Sequence, residues 1–205
     1  MSFLSFTLLG FPVRVEWSFF IMAAILGWRG GDFTLLISWV AVLFVSVMVH
    51  ELGHAFAAKT YGYSPSITLY SMGGLTHYNA LATTGREERI LISFAGPLFG
   101  LVLGGLVYFL KPSLGLVSPY TRSMVQDLLW VNIGWSLVNL LPVLPLDGGH
   151  IMELLVREPK QAAWVSLVAA VVVALAAYRF GHIWAAIFFG WLGYNSYQAI
   201  RMRQA

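Results

Sequence analysis

The segment His50-Glu51-Leu52-Gly53-His54 carries residues whose types and spacing could do chemistry. Residues four apart on a helix share one face, so the imidazoles of His50 and His54 can reach one metal ion. Glu51 lies a little around the helix, where its carboxylate can accept a proton from a metal-bound water. Zinc can lower the pKa of such a water from about 15.7 to about 7, which makes hydroxide available at neutral pH. The pattern therefore predicts a metal site that activates water.

The residues around this motif make a metal site more favourable than a structural role. Residues 40–49, directly before it, are almost wholly apolar. An unpaired ionisable side chain inside a membrane costs on the order of several kcal/mol and is usually functional. The alternative is that two histidines and a glutamate line a polar seam between helices. A metal site would give Glu51 the compensating partner that such a position requires.

Two histidines do not complete a catalytic zinc site, which usually has three protein ligands and an open position. The other histidines of the chain are His77, His150 and His182. Carboxylates are few in the apolar segments, and Asp147 is the best candidate for the third ligand.

Asp147 lies in the stretch NLLPVLPLDGGH, residues 139–150. Pro142 and Pro145 end the preceding helix, and the two glycines after Asp147 permit a tight turn. Irregular backbone at membrane depth persists only where it is buried in protein or faces a wet cavity, so this turn could present a carboxylate to a metal. The alternative is that Asp147 caps a helix that begins near Gly149.

The composition is that of an integral membrane protein. Of the 205 residues, 59% are hydrophobic and 10% are charged, and the mean hydropathy is +0.76. Soluble domains carry roughly 25% charged residues, so an ordinary cytosolic enzyme and a disordered chain are excluded. A net charge of +3, with scattered Lys and Arg, gives no case for nucleic-acid binding. The absence of cysteine excludes disulfides and thiolate metal ligands.

Six segments come close to the roughly 20 apolar residues that a spanning helix needs. They run about Trp17–Trp28, Phe33–Ala58, Glu87–Leu110, Met124–Leu141, Gln161–Tyr178 and His182–Ile200. A strand-like stretch at Thr7–Val15 precedes the first span. The alternating sequence SITLYSMGGLTHY, between spans two and three, predicts a strand or hairpin broken at Gly73-Gly74.

These elements predict an all-α polytopic membrane protein with six transmembrane helices and a short membrane-associated β-hairpin or strand between helices 2 and 3. No internal repeat or hydrophilic linker delimits a second domain, so we expect a single domain over residues 1–205 in the lipid bilayer. No residue pattern specifies an oligomeric state.

The basic residues predict the orientation. With a cytosolic N-terminus, the cytosolic side holds eight of the 12 Lys and Arg: Arg14, Lys59, Arg86, Arg89, Arg157, Lys160, Arg201 and Arg203. The opposite side holds Arg29, Lys111, Arg122 and Arg179. We therefore expect a multi-pass protein of the cell membrane with both termini in the cytosol. Spans two and four then run in the same direction, which brings both motifs to matching depth near their cytosolic ends.

Together, HELGH on the second span and N-x-x-P-x-x-x-x-D-G on the fourth resemble the site-2 protease family of intramembrane zinc metalloproteases. The likeness covers nearly the whole chain and includes Gly73-Gly74 and the triplet Ala95-Gly96-Pro97. It implies a six-helix membrane domain whose second to fourth helices form the catalytic core. Many members also carry a PDZ domain or paired CBS domains, which this sequence lacks, so the resemblance is to a minimal member or to a truncated membrane core.

The resemblance implies one Zn²⁺ per chain, with His50, His54 and Asp147 as its ligands. It implies that Glu51 is the general base and later the general acid.

Three further residues are placed near the site by the same resemblance. The amide of Asn139 could hold the scissile backbone or the developing oxyanion, although an interhelical hydrogen bond is the alternative for it. Gly73 and Gly74 match a glycine pair that lies beside the substrate channel.

The expected activity is hydrolysis of peptide bonds within or near transmembrane segments of membrane-protein substrates, which must unwind locally before water can attack. The rival class is a non-enzymatic metal-binding membrane protein, either a transporter or a proteolytically dead receptor. A transporter should place polar groups along several spans, and a dead homologue would normally have lost Glu51 or a ligand. A soluble-type zinc protease on a membrane anchor is disfavoured because HExxH lies inside an apolar span.

Overall fold

The computed structural model describes residues 2–79, 84–115, 118–156 and 158–202. Arg157 and Arg203, which enter the count of basic residues above, lie outside these ranges. The described chain is mostly helical and contains one small β-sheet. It forms two compact units, Met1–Leu137 and Val138–Ala205.

The first unit begins with a β-hairpin and contains the longer helices. Its strands are β1 (Ser2–Leu8), β2 (Phe11–Glu16), β3 (Ser66–Tyr70) and β4 (Gly73–His77). Its helices are α1 (Trp17–Gly27), α2 (Phe33–Thr60), α3 (Arg86–Leu110) and α4 (Pro119–Leu129). Side-chain caps fix two of the helix starts: Asp32 accepts hydrogen bonds from the backbone of Thr34 and Leu35 at α2, and Ser118 caps α4.

Three helices of the described residues are long and apolar enough to cross a membrane: Phe33–Thr60, Arg86–Ser113 (α3 with the 3₁₀ turn Lys111–Ser113 that follows it) and Pro159–Arg179. The apolar helix α1 is shorter. Large apolar side chains on these helices are exposed, among them Ile37 at 69% and Phe109 at 79%. Exposed apolar surface on this scale indicates contact with lipid. The prediction of a polytopic helical membrane protein is confirmed at this level.

The four-stranded sheet differs from the predicted single hairpin. Its strand order is β1-β2-β3-β4, with β2 and β3 parallel and the outer pairs antiparallel. The stretch Thr7–Val15 is not one strand, because Leu9 (φ 50°) and Gly10 (φ 87°) reverse the chain between β1 and β2. The β2–β3 pairing joins Val13 to Ile67, and no local sequence pattern signals a contact between residues so far apart. Within the second hairpin the break is at Ser71-Met72, so the Gly73-Gly74 pair begins β4.

One face of this sheet packs against α2 and forms the core of the first unit. Val13 and Val15 on β2 and Ile67 and Leu69 on β3 are at most 1% exposed. They cluster with α2 side chains from the same region as the HExxH motif, including Val47, Met48, Leu52 and Ala55. The sheet is therefore fixed against the helix that carries the motif.

The fourth predicted span, Met124–Leu141, is not a uniform α-helix. It begins earlier, with α4, continues through a π-helical turn at Trp130–Gly134, and ends with α5 (Trp135–Asn139). In the π-turn the buried amide of Asn132 donates to Ser46 Oγ on α2 and to Leu128 O, both at 2.8 Å. A π-turn adds one residue to a helical turn, and the apolar pattern alone does not reveal it.

The second unit consists of α6 (Asp147–Val156), α7 (Pro159–Arg179) and α8 (Ile183–Met202). Helices α7 and α8 correspond to the fifth and sixth predicted spans within two residues at each end. They pack through Ala170, Phe189 and Leu192, and Val143 and Leu146 from the loop before α6 join the same cluster.

Candidate metal centre

The HExxH motif lies on the second half of α2. Glu51 is 4% exposed and His54 is 8% exposed, and His50 is half-buried. The two imidazole rings have centroids 4.8 Å apart, and their Nε2 atoms are separated by 3.1 Å. The helix therefore brings the two nitrogens together, as their spacing predicts.

The backbone of α3 selects the tautomer of His54. Its Nδ1 atom lies 2.7 Å from the carbonyl oxygen of Ile92. A carbonyl can only accept a hydrogen bond, so Nδ1 carries the proton and Nε2 presents a lone pair. An imidazole held in this way is prepared to bind a metal through Nε2.

The separation of the two nitrogens fits a shared metal ion. Zn–N bonds of about 2.0–2.1 Å at a tetrahedral centre place two ligand nitrogens about 3.3 Å apart. The Nε2 atoms of His50 and His54 are 3.1 Å apart. The pair needs only a small adjustment to bind zinc.

A glycine on α3 makes room for both imidazoles. A Cβ atom at Gly96 would collide with Nε2 and Cε1 of His54 and would lie 2.8 Å from Nε2 of His50. The two helices also approach closely at Gly53 on α2, where an added Cβ would collide with the carbonyl group of Ala95 on α3. Gly96 therefore leaves the space that the two ring nitrogens occupy.

The Glu51 side chain is enclosed by strand β4. The hydroxyl of Thr76 donates to Glu51 Oε2 at 2.8 Å and lies 3.1 Å from Glu51 O. A Cβ at Gly74 would collide with the Glu51 carboxyl group. Gly73 has nothing within 4 Å of an added Cβ, but its φ of +119° suits glycine alone. Glycine is therefore required at position 74 by the lack of space and at position 73 by the backbone conformation.

In the second unit, Asp147 is the first residue of α6. The first helical hydrogen bond runs from His150 N to Leu146 O at 3.0 Å, so Leu146, not Asp147, occupies the N-cap position. The loop before it is held by a hydrogen bond of 2.9 Å from Leu144 N to Ser166 Oγ on α7. A Cβ at Gly148 would strike the carbonyl of Leu140. These contacts explain the glycine after the aspartate.

His50 and His54 on α2 offer two ligand nitrogens for a metal ion, and Asp147, the predicted third ligand, begins α6 of the second unit. A set of two imidazoles and one carboxylate suits zinc. Of the other histidines, His77 ends β4, His150 lies in α6 and His182 directly precedes α8.

The sequence around both motifs matches a known family. The model of Peptidase family M50 matches residues 38–118 and 116–179, which include HELGH and the loop with Asp147. This chain belongs to Peptidase family M50. The resemblance to site-2 proteases is confirmed.

Relatives of this M50 chain include Rip3 of Mycobacterium tuberculosis, 31% identical over 216 residues, which cover 89% of this chain and 54% of that protein. The zinc metalloprotease MJ0392 of Methanocaldococcus jannaschii is 29% identical over 159 residues, covering 75% of this chain and 45% of that protein. The chain thus spans about half the length of these relatives. The solved structure of a site-2 protease from Methanocaldococcus jannaschii has the same fold, with a TM-score of 0.62, 23% identity, and 96% of this chain and 95% of that one covered.

Some residues near the M50 motif have contacts that the sequence does not reveal. Thr76 contacts the Glu51 side chain, although its sequence context suggests only a hairpin. Gly96 lies against the His54 side chain, although its sequence context suggests only helix packing. Alternate residues of a strand share a face, so Thr76 points to the same side of β4 as Gly74. The sequence alone does not show that this side of β4 faces α2. Asn139 is the last residue of α5 and is 8% exposed, and its role stays a prediction.

Proposed function

We propose that this chain is an intramembrane zinc metalloprotease that hydrolyses peptide bonds within or near transmembrane segments of membrane-protein substrates. The observation that carries the proposal is the approach of the His50 and His54 Nε2 atoms to 3.1 Å, together with the buried carboxyl group of Glu51 on the same helix. Both histidines and Glu51 lie on a helix long and apolar enough to cross a membrane. Ionisable groups in such a helix usually serve a function.

In this proposal His50, His54 and Asp147 hold one Zn²⁺ per chain. When bound, zinc supplies a Lewis acid for the scissile carbonyl and lowers the pKa of a bound water to about 7. The structural support is the 3.1 Å separation of the Nε2 atoms, the space left by Gly96, and the tautomer that Ile92 imposes on His54.

The carboxylate of Glu51 moves the proton. It takes a proton from the attacking water as the water oxygen bonds to the carbonyl carbon, and it then gives a proton to the amine as the C–N bond breaks. Burial of Glu51 at 4% exposure and the hydrogen bond from Thr76 support this role, because they hold the carboxyl group in one place. The Asn139 amide is proposed to stabilise the oxyanion of the tetrahedral intermediate.

The substrate is proposed to bind in extended form along β4. This strand lies at an edge of the sheet, and a sheet edge can take an additional strand through backbone hydrogen bonds. Gly73 and Gly74 add no side chains at the start of β4, which lets another backbone approach closely. Extended pairing would also stabilise the locally unwound helix that hydrolysis requires.

The proposal includes the finer topology that the sequence predicts. All six predicted segments span the bilayer of the cell membrane, both termini are cytosolic, and both compact units belong to one membrane domain. The excess of basic residues on the cytosolic side supports this orientation. The length and apolar composition of three helices support the proposal that segments of the chain span the bilayer.

The proposal is tested with single-span reporter proteins that carry different tags at their two ends and a Gly-Asn-Pro break in the transmembrane helix. Each reporter is expressed together with the wild type, with Glu51→Gln, or with Glu87→Gln as a matched control on the exposed start of α3. We expect Glu51→Gln to retain about one zinc per chain and to lose reporter cleavage, because an amide cannot accept the proton. Glu87→Gln should cleave as the wild type does.

Two results would contradict the proposal in different ways. Cleavage by Glu51→Gln at the wild-type rate would remove Glu51 from the role of base. A wild type that binds zinc and cuts no reporter in the set would favour the non-enzymatic metal-binding class.

A further inference from the structure

We propose that Thr76 is a positioning residue for Glu51: its hydroxyl fixes the carboxylate that acts as the base. The inference rests on the proposed function, because it concerns how the proposed base is held. It assigns a function to a strand residue outside both sequence motifs.

The hydrogen bond between the two side chains is the first observation. Thr76 Oγ1 donates to Glu51 Oε2 at 2.8 Å, a length typical of a good O–H···O bond. Glu51 is 4% exposed, so bulk water does not replace a missing donor. A buried hydrogen bond to a charged group is worth more than one between neutral groups.

The strand that carries Thr76 is held in register by its pairing with β3. In the β3–β4 ladder Thr76 pairs with Ile67 and Gly74 pairs with Leu69. Ile67 and Leu69 are fully buried in the cluster against α2. Because alternate residues of a strand point to the same face, Thr76 and Gly74 both face α2. The position of the hydroxyl therefore follows from the packing of the sheet.

Gly74 and Thr76 act on the same carboxyl group in complementary ways. Gly74 leaves the space in which the Glu51 carboxyl group lies. Thr76 donates to Oε2 and Oε1 lies beside Gly74, so β4 contacts both oxygens of the carboxylate. A catalytic group loses much of its effect when it is displaced by about 1 Å, so a fixed carboxylate should raise kcat more than it affects binding.

A purely structural role must be separated from positioning, because the same hydroxyl lies 3.1 Å from the backbone oxygen of Glu51. Thr76→Val keeps the shape of the side chain and removes the donor, and Thr76→Ser keeps the donor. Thr60→Val is the matched control: it removes a threonine hydroxyl that donates to a backbone carbonyl at the exposed end of α2.

The first measurement is reporter cleavage by the full chain in liposomes, with zinc content measured in parallel. We expect Thr76→Val to keep its zinc, to lower kcat by about 10- to 100-fold and to change KM by less than about threefold. Thr76→Ser should recover most of kcat, and Thr60→Val should match the wild type. A normal kcat in Thr76→Val, or no recovery in Thr76→Ser, would overturn the inference.

The second measurement needs no substrate. Apparent Tm in detergent is determined for the wild type, Thr76→Val, Glu51→Leu and the double variant. We expect Thr76→Val to lower Tm by about 2–8 °C in the wild type and by less than half as much in the Glu51→Leu background. Equal shifts would show that the two side chains are not coupled and would overturn the inference even if no reporter is cleaved. Unequal shifts without any cleavage would uphold the Thr76–Glu51 coupling while the proposed function fails.

Discussion

At the scale of single residues, the site depends on small side chains as much as on the polar ones. His50 and His54 are recognisable from their spacing, but the room for their ring nitrogens is left by Gly96 on another helix. The tautomer of His54 likewise depends on a carbonyl of α3, that of Ile92. Both contacts lie about 40 residues away from the motif along the chain.

Gly96→Ala tests the first of these contacts. The added methyl group would collide with the imidazole of His54, so we expect zinc affinity to fall by about 10- to 100-fold, as for other groups that support metal ligands. Zinc competition with a chelator of known affinity, on protein in detergent, measures this. Gly105→Ala on the same helix is the control, since nothing lies within 4 Å of an added Cβ there. Equal affinity in the two variants would show that Gly96 does not shape the site.

At the scale of elements, helices α7 and α8 support the loop that precedes Asp147. Ser166 Oγ accepts from Leu144 N at 2.9 Å and lies 2.8 Å from Ser196 Oγ. Ser196 in turn donates to Leu192 O. Ser166 and Ser196 are both buried, so the loop backbone has a polar partner inside an otherwise apolar helix pair.

Ser166→Ala removes that partner and leaves the part-buried N–H of Leu144 without its acceptor. An unsatisfied buried donor costs about 1–3 kcal/mol, which corresponds to a Tm decrease of about 2–4 °C per kcal/mol for a chain of this size. On the proposed ligand set, we also expect weaker zinc binding, because Asp147 follows the loop directly. Thermal unfolding and chelator competition measure both effects. Ser113→Ala, at an exposed position, should change neither, and a Ser166→Ala protein with normal Tm would contradict the prediction.

At the scale of the whole molecule, orientation in the membrane decides from which side water and substrate reach the site. The proposed orientation places the end of α2 in the cytosol and the end of α3 on the opposite side. Thr60 and Ser113 mark these two ends, and both are exposed. The natural absence of cysteine makes each position accessible to a clean labelling experiment.

Single-cysteine variants test this orientation. In intact cells we expect a membrane-impermeant maleimide to label Ser113→Cys and to leave Thr60→Cys unlabelled, because only the former faces outward. After lysis both should react, which controls for accessibility. The reverse pattern would invert the proposed topology, and labelling of both in intact cells would exclude a spanning α3.

The sequence by itself determined the membrane class and the principal helices, and it predicted the candidate metal ligands. Apolar runs and the four-residue spacing of His50 and His54 are local patterns, and each follows from helix geometry and from the cost of burying charge in lipid. It also predicted a hairpin near Gly73-Gly74, although the turn is two residues earlier.

Only the tertiary structure decided what surrounds those candidate ligands. The four-stranded sheet depends on the pairing of Val13 with Ile67, and the π-turn around Asn132 depends on packing against Ser46. The contacts of Thr76 with Glu51 and of Gly96 with His54 likewise join separate segments. Such contacts arise from the way in which elements pack, and packing between distant segments leaves no periodic signal in the local sequence.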